Sequence, residues 1–283
     1  MNNTIIATLF LLFINCFVFA QEQTPATEAG EDFDLYGVIG LFEDAEDLED
    51  FEKRINQEEN EINNLDLNKD DEIDVVKVVE YVEGGTHLLV LQAVLSETEV
   101  QDIATIEIEK HSEGEISLQV IGDPDIYGAD YIVEPAKVEG SIKTYSPTAV
   151  FVSVALWRPV VVIFRPGRVI FVSAIVFRPI PPWFLVRRPI GRSTWRARGG
   201  RWHSPRVSRS RSRHSKRGRN MYSSRRKTSP TAKKNYGSKP APNTGPSKGP
   251  VTTSPTKNTS PNKTGAPNQK QKQNPPTQKK KKN

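Results

Sequence analysis

The chain has a single cysteine, Cys16, and no acidic residue after Glu139. The first lack excludes an internal disulfide and any thiolate-rich metal site, so a fold must rest on packing and polar pairing. The second divides the chain electrostatically. All 34 carboxylates lie between Glu22 and Glu139, where only Lys53, Arg54, Lys69, Lys77, Lys110 and Lys137 offset them, for a net −28. The other 33 of the 39 basic residues follow residue 140, and the formal +5 of the whole chain hides this split. No arginine follows Arg226, and residues 191–283 hold almost no aliphatic side chains. That composition gives little apolar surface to bury and reads as a disordered basic tail. A nucleophile motif, a glycine-rich phosphate loop and a zinc signature are also missing.

At the start of the chain, Ile5–Phe13 is an apolar run and Val18-Phe19-Ala20 precedes a cleavage point before Gln21. Residues 1–20 therefore read as a secretory signal, which implies a secreted, periplasmic or cell-envelope protein. The n-region Met1-Asn2-Asn3-Thr4 carries no cation, and Thr4–Ala20 is 17 residues long. An uncleaved anchor at the short limit for a spanning helix is the other reading.

Residues 21–42 read as a mobile acidic lead-in and 43–140 as an acidic domain. From about Glu43, Leu48, Phe51, Ile55 and Ile62 form a narrow apolar stripe at helical spacing. Strand signals follow. Ile73–Val82 is rich in valine, and Glu83-Gly84-Gly85-Thr86 is a tight-turn sequence. His87–Leu95, Ile103–Lys110 and Glu115–Ile121 each alternate apolar with polar residues, and Tyr131–Val133 adds an edge strand ended by Pro135. The expected fold is α+β: one N-terminal helix on the dry face of an antiparallel meander of about four strands, with the other face wet. His87 and His111 read as solvated polar residues.

Asp66, Asn68, Asp70, Glu72 and Asp74 alternate through one loop. Oxygens at such spacing can wrap a hard cation, with Glu72 giving its carbonyl. Asp71 stands where the sharp turn wants glycine, and Lys77 stands where a bidentate glutamate belongs. The alternatives are a weak calcium site and a turn in which Asx side chains bond their own backbone. The loop resembles the calcium loops of EF-hand and dockerin-type proteins. Asp66–Val79 as a whole is similar to part of a group of secreted bacterial proteins that join such a loop to a β-meander. That resemblance implies a cell-envelope setting and no particular activity.

Residues 141–190 are apolar, β-prone and punctuated by Arg158-Pro159, Arg165-Pro166, Arg178-Pro179 and Arg188-Pro189. Ala149–Pro159 repeats as Val169–Pro179, each copy a β-branched run that proline ends. Three readings stand: added strands, a surface at 149–189 that meets a membrane or associates with itself, or poor order. The polyanion-binding candidates are Arg187, Arg188, Arg192, Arg196, Arg198, Arg201, Arg206, Arg209, Arg211, Arg213, Arg217, Arg219, Arg225 and Arg226, with Trp195 and Trp202 interleaved. Guanidinium forks pair with phosphate, sulfate or carboxylate, and aromatic rings stack on bases or sugars. The expected function is non-enzymatic: the tail binds polyanions such as acidic polysaccharide, glycolipid phosphate or nucleic acid, and the acidic domain masks it. Ser208–Arg213 resembles the arginine/serine repeats of RNA-binding proteins, which favours an intracellular nucleic-acid binder instead. A hydrolase using the acidic domain is the third class.

Overall fold

The computed structural model describes residues 27–112, 115–136, 154–198 and 206–237. Its centre is a hairpin of Val75–Glu83 (β1) and Thr86–Val94 (β2). Gly84 turns it at φ +57°, a conformation that costs glycine little. Val100–Lys110 (β3), Ile116–Gly122 (β4), Ile132–Pro135 (β5) and Val207–Ser210 (β6) continue the sheet in the order β1-β2-β3-β4-β5-β6, every neighbour antiparallel. With its helices the protein is α+β, as the alternation implies. The sheet has six strands in place of about four, and β5 is paired on both sides.

The dry face follows the sequence pattern. Leu89 stands opposite Ile106 and Leu91 opposite Ala104, while Ile106 and Ile108 face Val120 and Leu118. These side chains are buried under Leu35–Asp44 (α2), Leu48–Asn56 (α3) and Arg158–Ile163 (α5). The short helices Glu28–Glu31 (α1) and Pro124–Tyr127 (α4) flank them. Two expectations need correction. From residue 27 to 42 the lead-in is folded, since α1 and most of α2 lie within it; apolar side chains surround α2, so no stripe betrays it. The second concerns α3, which ends at Asn56; Ile62 is buried beyond it, after Glu61 turns at φ +49°.

The free edge of β1 is closed by polar side chains of α3. Asn56 donates to the Val76 carbonyl at 2.7 Å and accepts from its N–H at 2.8 Å. Glu52 accepts from Val78 N–H at 2.7 Å. A sheet edge covered in this way offers no ladder to a passing strand.

The larger correction concerns the second face and the basic half. Thr86, Leu88, Val90, Gln92, Asp102, Thr105, Glu107 and Gln119 are buried there, not wet. Among the described residues three helices follow the apolar segment: Arg192–Arg198 (α6), Lys216–Ser223 (α7) and Pro230–Tyr236 (α8). Residues 192–198 and 206–237 are thus part of the fold rather than a disordered tail. Met221 and Tyr222 of α7 pack on Leu88 and Val90, and β6 adds to the sheet. The segment folds with few aliphatics, Val207 and Ala232 among them, because a few large side chains and its guanidinium forks meet a face already rich in carboxylates. Residues 238–283 of the expected tail lie outside the described residues.

Among the described residues the apolar repeat adds no strand to the sheet. In the first copy, Pro159 opens α5 at a position where its missing N–H costs nothing. The second copy is extended: it meets β1 through the bridge Val79–Val172 and the Phe171 N–H bond to Glu80, and packs Ile175 on Val75 and Val94. Residues 149–153 lie outside the described residues.

Candidate anion-binding surface

The loop Asp66–Asp74 turns its oxygens inward on its own backbone. Asp66 accepts from the N–H groups of Asp70 and Asp71 at 3.1 and 3.2 Å, and Asp70 from Glu72 N–H at 2.9 Å. Asn68 accepts from Asp70 N–H at 3.1 Å and donates to the Asp70 carboxylate at 2.9 Å. Asp74 is buried, accepts from Leu67 N–H at 2.6 Å, and is pushed well above the usual carboxylate range by burial. Lys69 and Asp71 take positive φ values of 61° and 65°, which Asx-stabilised turns support. α8 seals the loop: Tyr236 Oη donates to the Asp66 carbonyl and Asn235 to the Leu67 carbonyl. Among the described residues no cluster of three or more His, Cys, Asp or Glu is arranged to hold a metal ion. The loop's own hydrogen bonds engage the oxygens of Asp66, Asn68, Asp70 and Asp74.

The structure divides the arginines into two sets. Arg213 grips the buried Glu107 carboxylate with Nε at 3.0 Å from both oxygens. Arg226 reaches Asp123 with Nε at 2.5 Å and Asp125 with Nη2 at 2.8 Å, while Tyr222 Oη donates to Asp123 at 2.5 Å. Arg192 pairs with Glu28 and Asp32, Arg196 with Glu31, and Arg198 with Glu61. Arg187 donates to the carbonyls of Asn56 and Asn63. Arg209 lies 3.6 Å over the Tyr131 ring and Arg225 5.1 Å over Tyr81. Trp195 is buried and donates to the Glu31 carbonyl at 2.8 Å, so it stacks on no outside ligand. Arg206 is exposed and acts electrostatically on Glu43. Arg201 and Trp202 lie outside the described residues.

Beneath this layer the carboxylates respond to burial and pairing. Burial pushes Asp102 up to about 6, against the lowering by the N–H of Lys227 and the amide of Gln92, which donate at 2.8 and 2.7 Å. Glu107 is raised because burial outweighs the Arg213 fork. On the dry side, burial also pushes Glu80 up, but bonds from His87, Arg168 and the Phe171 N–H outweigh it and hold the carboxyl below its usual range. His87 is thus buried, stacked edge-on to Phe164, and not solvated. His111 is exposed and bonds Ser117.

The second set faces outward. Arg188, Arg211, Arg217 and Arg219 are exposed and form no ion pair among the described residues. Lys216, Lys227, Lys233 and Lys234 are exposed beside them in sequence, and composition alone did not separate these lysines from the rest. Helical placement does, because α7 turns Met221 and Tyr222 inward and Lys216, Arg217 and Arg219 out. Next to α7 a shallow cleft of about 500 Å³ is lined by Glu83, Glu109, His111, His214, Lys216, Arg217 and Asn220. No family model, curated protein or solved structure matches the chain.

Proposed function

We propose that this is a non-catalytic, envelope-associated or secreted protein that binds polyanions bearing rows of phosphate or sulfate. Its binding surface is the outer side of α7 and α8. The support is the set of exposed cations on α7, Lys216, Arg217 and Arg219, which form no ion pair among the described residues, although the charge of Arg219 also acts on Glu107. Arg211, Lys227, Lys233 and Lys234 extend that set. The sequence after Gly237 adds ten lysines and no acid. The carboxylates of the sheet hold the inner arginines, so masking is selective: Arg213 and Arg226 serve the fold and the outer residues serve the ligand. Among the described residues no helix is long and apolar enough to cross a membrane.

Titration of the full chain with heparin at rising sodium chloride tests this reading. Each neutralised sulfate releases counterions, so log affinity falls linearly with log salt. Lys216→Gln, Arg217→Gln and Arg219→Gln combined should weaken binding about tenfold or more at low salt and make the slope shallower by up to roughly three contacts. Arg196→Gln, which removes an arginine committed to Glu31, should leave both unchanged. A triple variant that binds heparin as the parent does overturns the assignment.

A further inference from the structure

The segment 156–186 presents a different surface. Of the nine large hydrophobic side chains exposed among the described residues, eight lie there: Leu156, Val161, Val169, Ile170, Val172, Val176, Leu185 and Val186. They are between 49% and 84% exposed. The outward placement is held in position, because Ile175 and Phe184 turn inward onto Val75 and Val94 and fix the chain on either side. The second half of the segment runs along the outer side of α3, where Phe171, Val172, Val176 and Trp183 with Glu49 and Lys53 are among the residues lining a groove of about 610 Å³. Soluble proteins rarely leave so many aliphatics together in water without a use for them.

The charges among these side chains say what covers them. Arg165 and Arg178 on the same segment, and Arg188 just after it, are exposed, and none makes an ion pair among the described residues. Arg178 lies 5.4 Å over the Phe177 ring. No acidic residue occurs within the segment. Aliphatics mixed with uncompensated arginines, with Trp183 half-buried among them, match the boundary of an anionic bilayer: the apolar side chains enter, the guanidinium groups meet phosphate, and the indole sits between. A second copy seated face to face would oppose arginine to arginine. Pro166, Pro179, Pro181, Pro182 and Pro189 remove the N–H groups that strand addition needs.

We propose that residues 156–188 form a membrane-surface contact that seats the protein on anionic phospholipid. It is independent of the heparin-binding surface on α7 and α8. The cations of α7 and α8 also attract anionic lipid, so the test must isolate the apolar contribution.

The full chain is co-sedimented with vesicles of phosphatidylcholine and phosphatidylglycerol in about a two-to-one ratio, and with phosphatidylcholine alone, at low salt and at about 0.5 M salt, where exposed charges are screened. Binding to the mixed vesicles should persist in part at high salt. Val169→Ser, Val172→Ser and Leu185→Ser, all at exposed sites, should each lower partitioning roughly three- to tenfold. Heparin affinity should be unchanged in all three. If a serine variant is poorly folded by circular dichroism, Arg165→Gln with Arg188→Gln provides the second arm, and should reduce binding to mixed vesicles. Vesicle binding that survives the serine substitutions at both salts overturns the proposal. A dimer in sedimentation velocity that disperses in the serine variants also overturns it, by assigning the surface to a second copy.

Discussion

Asp102 carries a pH signature that a single substitution can test. It is fully buried, it accepts from Gln92 and Lys227, and its carboxyl titrates at about 6. An acid raised in the folded state keeps a proton that the unfolded chain has already lost. Stability therefore falls as pH rises from about 4 to about 6, by roughly 3 kcal/mol for this group taken alone. Asp102→Asn removes the titration. Thermal unfolding of the variant and the parent across that window should show the parent losing stability relative to the variant as pH rises. Parallel pH profiles would mean that the carboxyl titrates as it does in water. Glu80 has the opposite sign. Its depressed value stabilises the fold above the ordinary carboxylate range, and that gain is lost as pH falls through the folded value.

The same contrast between environments recurs at the level of elements. Gly218 stands within α7, where alanine would ordinarily stabilise a helix by about 1 kcal/mol. A Cβ there would come within 2.6 Å of the Glu107 carboxylate that Arg213 holds. Gly218→Ala should therefore destabilise by roughly 1–3 kcal/mol, through overpacking against a buried ion pair, and urea unfolding would measure it. Elements differ in how much of them the sequence exposes to reading. The hairpin β1–β2 and the dry-face alternation of β3 and β4 are legible, because each side chain's fate depends on near neighbours. α2 is not, because a helix buried on several sides has no stripe. The wet-face expectation for Gln92, Thr105, Glu107 and Gln119 failed for another reason: what buries them begins about 90 residues or more later in the chain, at Arg209–Lys227. The arginines of the candidate site were legible as a set. Which of them bind inward depended on that same distant pairing.

For the molecule as a whole, the charge split is the mould of the fold. The half at −28 supplies the sheet, and the half that follows supplies β6, α7 and α8, which close it. A chain ending at residue 205 retains every carboxylate but loses Arg213, Arg226 and the Lys227 N–H, leaving Glu107, Asp123 and Asp102 without those partners. It should lose cooperative thermal unfolding and bind a hydrophobic dye, since buried charges stripped of partners are costly. A synthetic 206–237 peptide added in trans should restore part of the transition. A sharp, dye-silent melt for the truncated chain would show that the sheet stands without its cover.

The pairing of β5 with β6 also sets a clock. Ile132 meets Ser210, so a ribosome adding roughly 5–20 residues per second delivers the partner on the order of ten seconds after the strand it completes. During that interval the nascent sheet lacks both its last strand and the cover for its carboxylates. The strand that completes the sheet is therefore among the last parts of the fold to be made, and the buried carboxylates wait for their partners until it arrives.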